Sequence, residues 1–298
     1  MDRFESMSVF VSVVSAGSFS AASRQLRTPL PTVSRKVSEL EAHLDAKLLV
    51  RSTRGLALTE VGESYFVACK RILEETAEAD RLAAGEYNAP HGELVLTAPV
   101  VFGRLHVLPL TAEFLKAHPQ IDAQLVLTDR RLHLMDDHVD LAVRIGALPD
   151  SSLVATRVGQ TRTVVCASPA YLEARSVPRS PAALAEHDCV TFAALTGTDA
   201  WTFRDGDAVR VRSRLVVSTA EAAIDAALAG IGLTRVLSYQ VADAVKAGKL
   251  SIVLRKFEPT PLPVNLVYVQ TGRLPVKLRA FLDFAAPRLR ARLAETET

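Results

Sequence analysis

The sequence predicts an α/β protein carrying a small all-helical head with a basic hairpin wing. Three observations carry this expectation. Residues 18–59 read as helix, turn, helix and basic hairpin; residues 60–82 keep one long amphipathic helical pattern; and from Glu93 short apolar runs alternate with helical stretches. The 298 residues suffice for about two domains of ~150 residues each. With hydrophobic residues at 49%, both can bury a core. The expected division is a head over 1–59, a linking helix and hinge over 60–90, and a C-terminal domain over 91–298.

The head opens with Phe4, Met7, Phe10, Val11 and Val14 at three- and four-residue steps, one face of a first helix. Gly17 is placed to end it and Ser18 to cap the next. Ala21, Ala22 and Leu26 give a short second helix a small apolar face, which allows close approach at the turn. The third helix is expected to begin at Leu30-Pro31, since proline is tolerated in a first helical turn. Val33, Val37, Leu40 and Leu44 form its buried stripe, leaving Pro31, Thr32, Ser34, Arg35, Lys36 and Ser38 for another surface. Arg51 and Arg54 flank Ser52-Thr53 in a hairpin closed by Gly55. This is a winged helix-turn-helix, and its expected partner is double-stranded DNA. Arginine pairs with guanine or phosphate, hydroxyls near a helix start bond phosphates or base edges, and an arginine-bearing wing suits phosphate or minor-groove contact.

Charge supports this locally. Overall, Lys+Arg 35 against Asp+Glu 33 gives only +2. Between Arg24 and Arg54, seven basic residues face three acidic ones (Glu39, Glu41 and Asp45), an excess of 7 − 3 = +4.

Thr59 is expected to cap the long helix, with Glu60 and Glu63 at its positive end. Val61, Tyr65, Ala68, Ile72, Ala79 and Leu82 approximate a seam, and about 28 residues would span ~42 Å. A second copy of the same helix is the simplest partner for such a seam. GEYNAPHG, residues 85–92, then reads as a hinge.

In the C-terminal part, ELVLTAP, IDAQLVLTD, DLAVRIG, TRTVVCASP, RSRLVVST and VNLVYVQ read as strands. GRLHVLPLTAEFLKAHP and PVKLRAFLDFAAPRL read as helices, and AEAAIDAALAGIGLTRV as a helix running into a short strand. Cys69, Cys166 and Cys189 are widely spaced with no metal-ligand pattern, which fits reduced thiols and a cytoplasmic setting. The N-terminus has no signal-peptide character, and no apolar run reaches the ~18 residues of a membrane helix. No nucleophile elbow, phosphate loop or zinc spacing appears, so neither catalysis, metal nor cofactor is expected. His133 and His138 lie beside Asp136 and Asp137, where a polar turn explains them.

The runs FVSVVSAGSFSAASRQL, VSRKVSELEAHL and KLLVRSTRGLALTEVGE resemble the N-terminal domain of the LysR-type transcriptional regulators, and the order of elements continues the resemblance through the chain. Three positions depart from the family pattern. Pro29-Leu30-Pro31 stands where Ser-Gln-Pro is usual, Asp45 where glycine is usual, and Leu49 where phenylalanine is usual. Leu30 lacks a glutamine's amide bonds to adenine and offers contact with a thymine methyl instead.

The resemblance implies a transcription factor working as a dimer or dimer of dimers, with RNA polymerase as a further partner. It also implies an effector domain similar to periplasmic solute-binding proteins, with lobe I over 91–161 and 267–298 and lobe II over 162–266. The crossings are expected near Thr161–Thr163 and Val264–Val267. A small-molecule effector, of identity the sequence leaves open, is expected in the cleft between lobes. By family position its candidate contacts are Pro99, Val100, Val101, Phe102, Arg144, Ser218, Thr219 and Arg235. The competing expectation is a solute-binding protein, since the C-terminal half alone fits that class.

Overall fold

Helix α1 (Arg3–Ser15) starts where the Asp2 carboxylate accepts the Glu5 amide at 3.2 Å. Helix α2 (Phe19–Leu26) starts where Ser18 Oγ accepts the Ala21 amide at 3.1 Å. Helix α3 (Leu30–Leu44) begins at the prolines, as the sequence predicts. The computed structural model describes residues 2–52, 55–83, 89–130, 132–135, 137–149, 153–192, 200–204, 206, 208–270 and 274–296. The chain divides into two compact units, Met1–Ala89 and Pro90–Thr298.

Met7, Phe10, Val13, Ala22, Val33, Val37 and Leu40 pack into the core of the first unit. Phe4, expected on the buried face of α1, is 54% exposed; Val9 and Val13 turn inward instead, so the apolar stripe is rotated from the expected one. Asp45 ends α3 in the left-handed region at φ 48°, a conformation that glycine adopts freely and aspartate tolerates. Strands β1 (Leu49–Ser52) and β2 (Gly55–Leu58) pair antiparallel from Leu49↔Leu58 to Ser52↔Gly55.

Helix α4 (Glu60–Ala83) is capped by Thr59, whose hydroxyl accepts the Gly62 amide at 2.9 Å. Its 24 residues span ~36 Å. Cys69 is fully buried in the head core, joined by Tyr65, Phe66, Ile72 and Leu73. Two members of the expected inter-chain seam, Tyr65 and Ile72, are therefore used within the head, while Val61 is 56% exposed. Residues 85–88 of the expected hinge fall outside the described residues.

The second unit holds two five-stranded sheets. The first runs β4 (Ile121–Leu127), β3 (Gly92–Ala98), β5 (Leu141–Ile145), β14 (Leu262–Val269), β6 (Leu153–Thr161). The second runs β11 (Arg212–Val217), β8 (Asp188–Phe192), β12 (Leu233–Leu237), β7 (Thr163–Ala167), β13 (Ser251–Val253). Strands β9 (Ala200–Thr202) and β10 (Ala208–Arg210) form a separate antiparallel pair.

One continuous helical segment follows β3: α5 (Val100–Phe102), a π turn (Gly103–Val107) and α6 (Leu108–Ala117). It starts before the expected Gly103. The wide turn fits Pro109, which has no N–H to continue an α-helical ladder. The remaining helices are α7 (Pro169–Arg175), α8 (Ala220–Leu228), α9 (Ser238–Lys246) and α10 (Val276–Thr296). Phe114, Phe281, Leu289 and Leu293 of α6 and α10 pack against the first sheet, and Ile224, Ala227 and Val241 of α8 and α9 against the second.

The chain leaves the first sheet at Arg162, within the expected crossing. It returns earlier than expected: Leu262 already pairs with Thr161, so the return precedes Val264–Val267. Pro263, lacking an N–H donor, interrupts the apolar run and disguises where the strand begins. The two connecting segments are tied together, with Arg162 Nη1 donating to Glu258 at 2.9 Å and the Arg162 amide donating to Ser238 Oγ at 3.2 Å. Glu258 is 8% exposed, so removing its cation leaves a buried charge. Arg162→Ala is expected to cost about 2 kcal/mol. Denaturant unfolding followed by fluorescence of Trp201, itself buried in the second sheet's core, checks this.

Candidate nucleic-acid interface and inter-lobe cleft

The outer surface of α3 presents Pro31, Ser34 and Arg35 as exposed residues, with Thr32 half-buried beside them. The Arg35 guanidinium is 69% exposed and lies 3.8 Å from Glu39, a loose pair that leaves it available. Lys36 departs from the expected set. Its side chain is only 16% exposed and its ammonium is paired with Glu5 of α1. One residue along a helix turns the side chain by about 100°, and that places Lys36 against α1 instead of on the surface that carries Arg35. Arg51 lies on β1, and Arg54 falls outside the described residues.

Sequence reasoning missed the residue that fixes the wing. Glu41, on the inner side of α3, is 8% exposed. Its Oε1 accepts the Leu48 amide at 2.9 Å and the Leu49 amide at 3.2 Å, and its Oε2 accepts Lys47 Nζ at 2.7 Å. Burial alone would raise its pKa; the lysine and the two amides outweigh that and hold the carboxyl below its ordinary value. Periodicity gives no signal for this role, because a glutamate next to a buried stripe reads as surface.

In the second unit, Arg104 of the π turn lies 3.6 Å from Glu221 in the first turn of α8, an ion pair between the two lobes. Pro99 and Val100 are half-buried at the start of α5, and Ser218 and Thr219 are exposed just before α8. Thr219 Oγ1 caps α8 by accepting the Ala222 amide at 3.2 Å. Within the core, Phe102 is in edge contact with Tyr239 of α9, with ring centroids 5.3 Å apart, and His106 lies beside both. His106 Nε2 is buried without a hydrogen-bond partner, and burial, then Arg292, lowers its pKa.

Several expected cleft residues serve other ends. Val101 and Phe102 are buried at 5% and 0%, because an amphipathic helix lying on a sheet must turn one side inward. The Val100 amide, at an expected effector contact, donates to Asp129 Oδ1 at 3.2 Å. The protein thus supplies its own carboxylate at this helix start. Arg144 Nη2 donates to the Leu132 carbonyl at 2.8 Å and braces the connection before β5. Arg235 donates to the Thr202 carbonyl at 3.3 Å, and burial pushes its pKa below the usual arginine value.

Burial pushes Cys166 and Cys189 up to about 12, so both remain thiols at neutral pH. Among the described residues no group of three His, Cys, Asp or Glu side chains could hold a metal ion. His133 sits in the expected polar turn, where its amide donates to Asp137 at 2.7 Å. No helix among the described residues is long and apolar enough to cross a membrane.

A winged helix-turn-helix joined to a domain of two five-stranded sheets defines a DNA-binding regulator with a ligand-binding domain. The chain belongs to the LysR family. Residues 4–63 match the bacterial regulatory helix-turn-helix domain of that family, and residues 88–290 match the LysR substrate binding domain. It is 37% identical over 288 residues to an HTH-type transcriptional regulator of Xanthomonas campestris pv. campestris (strain 8004), covering 94% of this chain and 84% of the relative. It is 33% identical over 286 residues to the HTH-type transcriptional activator AaeR of Escherichia coli (strain K12), covering 95% and 93%. Among solved structures, CrgA of Neisseria meningitidis, a LysR-type transcriptional regulator, superposes with a TM-score of 0.62 at 34% identity, covering 96% of this chain and 98% of that one. The protein is a DNA-binding transcriptional regulator with an effector-binding regulatory domain. The head separates it from a free-standing solute-binding protein.

Proposed function

We propose that α3 enters the major groove of an operator half-site, with Pro31, Thr32, Ser34 and Arg35 at the DNA and Arg51 and Arg54 following the backbone from the wing. The observation that supports this most directly is the 69% exposure of Arg35 on a helix whose other face is buried in the head core. Two heads brought together through self-association would meet two half-sites, and a dimer of dimers would extend the bound DNA. RNA polymerase is the expected further partner of such a regulator at a promoter.

Arg35→Ala is expected to weaken operator binding by about tenfold or more, the loss of one strong arginine contact per half-site. Affinity of the wild-type protein should fall steeply as salt rises, and the variant should show a shallower slope if Arg35 meets phosphate. Gel shifts over a salt series read both. Unchanged affinity and slope in the variant would place Arg35 away from DNA.

The effector site in this reading is the cleft between the starts of α5 and α8, with Pro99, Val100, Ser218 and Thr219 on its rims. Its support is the Arg104–Glu221 pair, which links the segment after β3 to the first turn of α8. A ligand that raises the melting temperature of the wild-type protein should lose that effect in Ser218→Phe, which fills the mouth. Equal stabilisation of both proteins would move the effector elsewhere.

A further inference from the structure

Leu30 is the first residue of α3, is 42% exposed and takes no part in the head core. The backbone on either side of it is constrained. Pro29 stands at the cap position without a side-chain bond, and Pro31 has no N–H. The Thr32 and Val33 amides both donate to the Pro29 carbonyl, at 2.9 and 3.1 Å. The preceding turn is locked as well, with the Thr28 amide donating to the Ser23 carbonyl at 3.1 Å and Ser23 Oγ donating to the Thr28 carbonyl at 2.6 Å. Two prolines and this closed turn hold the backbone on either side of Leu30. The tip of the helix is therefore a rigid apolar knob.

In the major groove every base pair presents donors and acceptors, and thymine alone adds an apolar group, its C5-methyl. A donor or acceptor pressed against Leu30 would give up water and gain no partner. A thymine methyl would lose only unfavourable exposure to water. We propose that Leu30 is a specificity-determining residue that reads a thymine methyl in the operator half-site. This rests on the reading of α3 as the groove-entering helix. Because the contact is apolar, it selects a base without adding to the salt-dependent attraction of the arginines.

The test begins with selection of bound sequences from a random duplex library by the full-length protein. Enriched half-sites are expected to carry a T·A pair at a fixed place. Each thymine is then replaced in turn by uracil, which removes the methyl and leaves every hydrogen-bonding group. At one position wild-type affinity should fall about fourfold per half-site, the worth of one buried methyl-sized group. Leu30→Ala should bind the thymine and uracil sites equally, and Leu30→Gln should shift that position toward adenine. An unchanged melting temperature for Leu30→Ala shows that the head is intact. Equal wild-type binding to every thymine and uracil site, or a full thymine preference kept by Leu30→Ala, would overturn the proposal. Salt-sensitive binding without any enriched sequence would instead remove the sequence-specific reading of α3, and this inference with it.

Discussion

Glu41→Ala will destabilise the head by about 3 kcal/mol, because it leaves the buried Leu48 amide and the partly buried Leu49 amide without their acceptor. The Leu48 amide is buried and has the Glu41 carboxylate as its acceptor. No side chain at position 41 other than an acid or amide can reach it. Glu41→Gln keeps one acceptor oxygen for the amides and loses the ionic bond to Lys47, so it should fall between the wild type and Glu41→Ala. The pH dependence has a definite sign. The folded-state pKa of Glu41 lies below its ordinary value of 4.5, so the stabilisation is complete above about 4.5 and is lost as pH falls through the folded value. Melting curves of wild type and Glu41→Gln from pH 7 down to 3 should therefore converge at the acid end. A constant gap would show that the carboxylate's charge plays no part.

Gly62→Ala is the second large effect. A Cβ built at Gly62 would lie 2.0 Å from the Leu48 carbonyl oxygen and 2.9 Å from its carbon, both backbone atoms. Nothing flexible can give way, so either the first turn of α4 lifts or β1 shifts. Either movement disturbs the cap at Thr59 and the wing beside it. A cost of about 3 kcal/mol is expected, at the upper end for overpacking, together with a marked loss of DNA affinity. Val61→Ala, one residue away and 56% exposed, should change stability by no more than about 0.5 kcal/mol. Similar behaviour of the two variants would mean that α4 does not pack on Leu48 this closely.

Much of this architecture was legible in the chain. Ser18, Pro31 and Thr59 announce helix starts through groups that cap or pre-set a first turn, and these signals are local. Apolar alternation announced β3, β4, β5, β7 and β11 for the same reason. Short strands such as β13 and the hairpin of β9 and β10 carry too few residues for a pattern to emerge. Lys36 shows the limit at the DNA-facing surface: composition marks it as basic, but only the position of Glu5 in space decides that it turns inward. Arg144 and Val100 show the same limit in the cleft. Each has the right chemistry for an anion, and each is engaged by a group distant in sequence or unremarkable in type: Leu132 for the arginine, Asp129 for the amide. Glu41 and Gly62 were silent because their work is done against the backbone of Leu48, which no side-chain pattern reports.

The meeting of these residues at Leu48 has a mechanical consequence. The recognition helix is stapled to the wing through Glu41, and the wing is wedged against the long helix through Gly62. Cys69, two turns further along, is embedded among the same core residues. The leading half of the long helix cannot roll about its own axis without prising these contacts apart. Head and shaft consequently turn together, like a key cut in one piece.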